Sequence, residues 1–212
     1  MAAQERAIRT RHNIMLAAAT VFNERGYKAA TIADILAKAG VTKGALYFHF
    51  PSKDELAQEV LAAQNRDFSV PDRPSKTQEV VDIVMLHTHR LQSDPMVRAA
   101  VRLTMDQLST ELDRTGPFRQ WSDVTRERLE KAGAQGELLP HVLPGETSDV
   151  LVGSYAGVQS MSHALSEYQD LPVRVNALLR HLLPSIVLPS VLASVDIAGD
   201  RGARVHAEML AA

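Results

Sequence analysis

The chain of 212 residues contains no cysteine. It therefore cannot form a disulfide framework or a thiolate metal site, and it has no thiol nucleophile. No apolar run approaches the ~18 residues that a membrane-spanning helix needs, because the longest apolar segments are interrupted by His, Ser, Pro or Gly. Residues 1–6 lack the apolar core of a signal peptide. Together these absences predict a cytoplasmic protein with no membrane partner. Aromatic residues make up only 5%, with a single tryptophan, Trp121. Alternating β-branched runs are scarce while Ala and Leu are plentiful, which predicts an all-α fold.

The motifs of catalysis are missing too. There is no His-Glu-x-x-His and no glycine-rich phosphate loop. His87 and His89 stand two apart, so on a helix they diverge and cannot share a metal. Gly153-Ser154-Tyr155-Ala156-Gly157 puts its serine second, whereas a nucleophile elbow needs it in the middle. No enzyme activity, catalytic residue, metal or cofactor is expected.

Net charge is −2 overall, which by itself argues against a nucleic-acid binder. Its distribution does not. Residues 1–66 hold nine Lys/Arg against six Asp/Glu, an excess of three positive charges; the remainder carries an excess of five negative ones. A basic head on an acidic body points to a polyanion partner for the head.

Ile14, Ala18, Val21 and Phe22 give one apolar face to a first helix over about 5–25, which Gly26 ends. Thr31 caps a second short helix, with Asp34 suiting its positive end, and Gly40 terminates it. Thr42 caps a third, very short helix from Lys43 to His49. Ser52 with Glu55 forms a capping box for a fourth. A linker follows at 69–75, which divides the chain into a head, 1–66, and a larger helical domain, 67–212. Further helices are expected over 77–93, 96–112, 118–133, 147–168 and 172–187, with a loop at 136–145 and a ragged tail beyond Pro189.

Two short helices joined by a tight turn at Gly40 match the helix-turn-helix pattern, whose second helix enters the major groove. From spacing alone, a compact three-helix scaffold fits equally well. The surface chemistry of residues 42–50 is more specific. Gly44 is a poor helix former and asks for a reason, such as close approach of backbone to DNA. Lys43, Tyr47 and Lys53 can reach phosphates, Thr42, Lys43 and Ala45 can meet base edges, and Thr31 and His49 complete the candidate DNA contacts.

The run Thr31-Ile32-Ala33-Asp34-Ile35, then Ala39-Gly40-Val41-Thr42-Lys43-Gly44-Ala45-Leu46-Tyr47-Phe48-His49-Phe50, closely resembles the DNA-binding signature of the TetR family of repressors. The resemblance implies an all-α homodimer with an N-terminal helix-turn-helix domain and a C-terminal regulatory domain. Beyond the head, Arg102-Leu103-Thr104-Met105-Asp106-Gln107, Gly116-Pro117-Phe118-Arg119-Gln120-Trp121, Gly136-Glu137-Leu138-Leu139-Pro140 and the segment 186–193 are similar to the γ-butyrolactone autoregulator receptors of Streptomyces. That similarity implies a repressor of secondary metabolism that leaves a palindromic operator when a lactone-type effector binds, with Trp121 lining the pocket.

Read from the residues, a buried tryptophan is ordinarily core packing. Trp121 follows a Gly-Pro break and has Thr125 one turn on, which favours a mostly apolar pocket with few polar groups. Met85, His89, Tyr155 and Gln159 are lining candidates by helical position. Gln64, at the end of the linking helix, is placed to sense occupancy. Residues 147–187 are expected to form the homodimer interface: Gly153, Ala156 and Gly157 admit a close helix, and Val150, Leu151, Leu178, Leu179, Leu182 and Leu183 supply apolar area. An internal helix pair uses the same residues. The alternative functions are the same fold answering another effector, or a helical small-molecule binder with a vestigial DNA-binding motif.

Overall fold

The computed structural model describes residues 2–63, 69–105 and 115–211. They form α1 (Ala2–Ala29), α2 (Ile32–Ala39), α3 (Lys43–His49), α4 (Lys53–Ala63), α5 (Lys76–Ser93), α6 (Pro95–Met105), α7 (Thr115–Ala134), α8 (Pro144–Ser166), α9 (Leu171–Leu182), a 3-10 turn (Leu183–Ser185), α10 (Pro189–Leu192) and α11 (Arg201–Ala211). Among the described residues the one piece of β pairing outside these helices is an antiparallel bridge between Leu138 and Val187. The all-α expectation follows from the composition and is what the chain adopts.

The chain divides into two compact units, residues 1–66 with 94–117, and residues 67–93 with 118–212. The first unit thus takes in α6, which a division at residue 66 assigns to the other part. α6 brings Met96, Ala99, Ala100 and Leu103 into the same core as Ile14, Ala18, Val21 and Phe22 of α1, Ile35 of α2, Leu46 and Phe50 of α3, and Leu56 and Val60 of α4. Helix α1 runs four residues beyond the expected end, across a kink at Gly26.

Local chemistry sets the short helices. The Thr31 hydroxyl accepts from the Asp34 N–H at 3.1 Å and the Asp34 carboxylate accepts from the Thr31 N–H at 3.2 Å, a reciprocal cap that satisfies two otherwise orphan donors. Gly40 closes α2 at φ 64°, ψ 32°, a left-handed geometry that costs a residue with a Cβ but not glycine. Thr42 accepts from the Ala45 N–H at 3.2 Å and Ser52 from the Glu55 N–H at 3.0 Å.

In the second unit α5 is the central element. Residues 77–88 are all buried, and both α9 and α11 pack on it. Its N-terminus is capped from a distant loop: the Glu137 carboxylate accepts from the Thr77 N–H at 2.7 Å, the Lys76 N–H at 3.0 Å and the Ser75 hydroxyl at 3.1 Å. The same loop shortens α9. The Leu188 N–H donates to the Glu137 carbonyl and the Leu139 N–H to the Ile186 carbonyl, both at 2.9 Å, so the chain leaves the helix by a turn at Ile186 and a bridge at Val187 where a helix to 187 was expected.

The tail is not ragged. α11 lies along α5, and the crossing is so close that a Cβ on Gly202 would sit 2.0 Å from the Met85 carbonyl oxygen. Beside it the wholly buried Asp82 carboxylate accepts two bonds from the Arg201 guanidinium, at 2.7 and 2.6 Å, and one from Arg73 Nε at 2.9 Å.

Candidate DNA-reading helix and effector site

On α3, Leu46 and Phe50 point into the core of the first unit, and this fixes what faces outward. Thr42, Lys43, Gly44 and Tyr47 are exposed, Ala45 and His49 half-buried. A Cβ at Gly44 would meet nothing within 4 Å, so the chain's own packing gives no reason for glycine there. Lys43 Nζ stands 5.8 Å from the Tyr47 ring centroid. His49 is drawn back between Phe48, edge-on at 5.1 Å, and Phe50 at 6.4 Å. Lys53 is half-buried, its ammonium 4.2 Å from the Tyr27 ring. Thr31 is exposed on α2 with its hydroxyl engaged in the cap.

The residue that sequence reasoning passed over is Phe48, 81% exposed. The signal was present. With Leu46 and Phe50 spaced four apart on the inner side, a residue two from each lies on the opposite face. Phe48 stands beside the exposed Tyr47 on the outward face of α3.

In the second unit three aromatic rings from three helices meet. The Trp121 and Tyr155 centroids are 4.6 Å apart and edge-on at 79°, His87 is 5.0 Å from Trp121 and 5.6 Å from Tyr155. All three are buried, as are Thr125, one turn beyond Trp121, and Gln159, one turn beyond Tyr155. The Thr88 hydroxyl donates to the Val84 carbonyl at 2.8 Å, which leaves the Tyr155 phenol to donate to Thr88 Oγ1 at 3.1 Å. Burial pushes the Tyr155 phenol well above its ordinary range, so it stays protonated. Burial likewise drops His87 to about 4, with Arg90 acting in the same sense and a hydrogen bond with Gln159 opposing. The cluster is therefore uncharged: three aromatic rings packed against one another, with the polar atoms of His87 and Gln159 among them.

Of the pocket candidates, Trp121, Tyr155 and Gln159 come together, with Thr125 on the same face of α7. His89 does not join them. It faces the other way, 5.2 Å from His206 of α11, and the missed participant is His87. Met85 is buried with its carbonyl against Gly202 of α11. Gln64 lies outside the described residues.

Helix α8 has two faces. Ser148, Leu151, Val152, Tyr155, Gln159 and Ser162 close onto the unit's interior. The opposite stripe, Val150, Gly153, Gly157, Met161, Ala164 and Leu165, is exposed, and Cβ atoms at Gly153 and Gly157 would meet nothing. Leu151, Leu179 and Leu183, expected to supply interface area, are spent inside the subunit, while Val150 remains outside and Leu178 and Leu182 are half-buried. Met161, Leu165 and Val173 add exposed apolar area that the sequence reading did not name.

These features match known proteins. A family described as bacterial regulatory proteins, tetR family, matches residues 14–60, and a tetracyclin repressor-like C-terminal domain matches residues 77–188. The A-factor receptor protein of Streptomyces griseus is 38% identical over 199 residues, which cover 94% of this chain and 71% of that protein. The crystal structure of full-length native TylP, a TetR regulator from Streptomyces fradiae, superposes with a TM-score of 0.88 at 43% identity, covering 96% of this chain and 98% of TylP. That of a γ-butyrolactone receptor (ArpA-like protein) superposes with a TM-score of 0.73 at 28% identity, covering 96% and 99%.

Proposed function

This chain belongs to the TetR family of bacterial regulatory proteins and is a DNA-binding transcriptional repressor of that type; on that premise we propose that an uncharged small molecule of the γ-butyrolactone or butenolide class releases it from its operator, in the control of secondary metabolism. The observation that carries the ligand class is the buried His87–Trp121–Tyr155 cluster, which brings together aromatic faces and neutral hydrogen-bonding atoms. A lactone presents the matching chemistry, an apolar chain and an uncharged acceptor. The name of one similar protein, a γ-butyrolactone receptor, supports the same class.

Release is a population shift. The effector must bind the DNA-incompetent state more tightly than the competent one, or nothing moves. The repressor acts as a homodimer whose two α3 helices read the halves of a palindrome, joined through residues 147–187 with the exposed stripe of α8 as its centre. The division of labour is a head within residues 1–66 for DNA and residues 67–212 for effector and assembly.

Trp121→Ala tests the ligand site. Truncating an aromatic hot spot typically costs ~2–4 kcal/mol of binding, or roughly two to three orders of magnitude in effector affinity. The variant is expected to bind operator DNA and resist release by a panel of synthetic γ-butyrolactones, and the same panel should change the fluorescence of the lone tryptophan in the wild type. A purely packing role predicts instead a stability loss of roughly 3–5 kcal/mol, with DNA binding falling alongside Tm. A folded variant that still releases normally removes Trp121 from the site.

A further inference from the structure

Two histidines in the seam between α5 and α11 serve neither the aromatic cluster nor the DNA-reading helix. His89 of α5 and His206 of α11 have ring centres 5.2 Å apart and planes inclined at 52°. Both are half-buried, so water and small ions reach them. Among the described residues, neither imidazole has a hydrogen-bonding or ion-pair partner. The carboxylates on these two helices are committed elsewhere: Glu79 to Lys76 and Arg128, Asp82 to Arg201 and Arg73, and Glu208 to Arg73. The helices meet at Met85 and Gly202, where a Cβ has no room. His89 and His206 each stand one turn beyond that point on their own helix, so the backbone contact fixes their spacing. Burial foremost, and the neighbouring His206 second, hold the His89 pKa below its ordinary value, which leaves its lone pair available at neutral pH.

We propose that His89 and His206 form a two-histidine site for a divalent d-block cation of the Zn2+ or Ni2+ type, which ties the C-terminal helix to α5. The spacing fits that ion. A metal–nitrogen distance of ~2.0–2.1 Å puts each ring centre ~3.2 Å from the metal, and a tetrahedral angle then separates the two centres by ~5.2 Å. Rotation about Cβ–Cγ chooses which ring nitrogen is presented and leaves the ring centre where it is. Imidazole nitrogen selects zinc, nickel and copper over Mg2+ and Ca2+, which take oxygen ligands. Among the described residues no three His, Asp or Glu side chains gather around one point, so the protein supplies two ligands and water completes the shell. The bound ion adds a second tie between α5 and α11 beside the Asp82–Arg201 pair. The pairing is invisible in the sequence, where His89 and His206 share no local motif.

The test uses the full chain without a polyhistidine tag, titrated with NiCl2 and ZnCl2 in a calorimeter at pH 7. The wild type should show a strongest site that takes one ion per chain, and MgCl2 and CaCl2 should give none. His89→Gln and His206→Gln should each weaken that site by more than the ~10–100-fold typical of losing an outer-shell partner. The chain has eight histidines, so His12→Gln, on α1, serves as the control and should titrate like the wild type. Binding should fade at pH 5, where protons compete for the imidazoles. Because the ion ties α11 down in the folded state, NiCl2 should also raise Tm in the wild type and in the control but not in the two seam variants. Circular dichroism checks that both variants keep their helices; the half-exposed His206 is the milder replacement of the two. A wild type without such a site overturns the proposal. So does a site that survives in either seam variant, which would place the ion on other histidines.

Discussion

At the scale of single residues, His87 carries the sharpest consequence. Desolvation lowers its pKa from 6.5 to about 4 in the folded protein. Between those values the unfolded chain binds a proton that the folded chain does not, so stability is at its full value above pH ~6.5 and falls as pH drops toward 4. Across the whole window this amounts to about 3 kcal/mol, and to about 2 kcal/mol by pH 5. Urea midpoints at pH 7 and pH 5 for wild type and His87→Gln isolate it from the other titrating groups: the variant should lose about 2 kcal/mol less on acidification. Equal losses would mean that His87 is charged or exposed in the fold. This residue was not legible in the sequence, although its neighbour was singled out. α5 is buried on nearly every side, so its periodicity does not say which of His87 and His89 faces the aromatic cluster; the packing of α11 on the His89 side decides it. Thr31, Thr42 and Ser52 were legible because a cap depends only on residues three positions away. Trp121 stood out as the lone tryptophan.

At the scale of elements, the helices of the first unit could be read almost residue by residue, while the end of the chain could not. Pro189 and Gly199 look like breakers, yet what orders α11 is a partner 119 positions away in the sequence, the Asp82 carboxylate that Arg201 grips, and no local pattern encodes that. The stop of α9 has the same origin: residues 186–188 find backbone partners at Glu137 and Leu139. Gly202→Ala tests the α5–α11 contact. The added methyl would meet the Met85 carbonyl and carbon at 2.0 and 2.7 Å, and backbone cannot swing aside as a side-chain tip can. Overpacking of this kind costs about 1–3 kcal/mol, and in a chain this long each kcal/mol lowers Tm by roughly 2–4 °C. Gly199→Ala is the control, since a Cβ there meets nothing within 4 Å. Thermal melts in which the two variants coincide would show that α11 does not dock through Gly202.

At the scale of the whole molecule, the proposed dimer turns on which apolar area the subunit leaves uncovered. Apolar counting along 147–187 overestimates it, because Leu151, Leu179 and Leu183 are already buried. What remains is a stripe with two glycines at its centre and Met161 and Leu165 half to two-thirds exposed, with Val173 of α9 71% exposed. Glycines that touch nothing within their own chain, set among exposed apolar side chains, let a second helix approach closely. In a two-fold interface every substitution appears twice. Met161→Glu/Leu165→Glu therefore places four carboxylates in the proposed contact while leaving the inward face of α8, and so the aromatic cluster, untouched. Burying an unpaired charge costs several kcal/mol per ion, and a loss of even about 3 kcal/mol weakens association roughly hundredfold. Sedimentation should find the wild type dimeric at micromolar concentration and the variant monomeric, with helical content unchanged. Operator affinity should fall with dimerisation, because a monomer engages one half-site at a time and forgoes the effective-concentration gain of a linked second head. Its affinity for an isolated half-site should be unaltered. A variant that remains dimeric moves the interface off the α8 stripe; a wild type that sediments as a monomer removes the dimer.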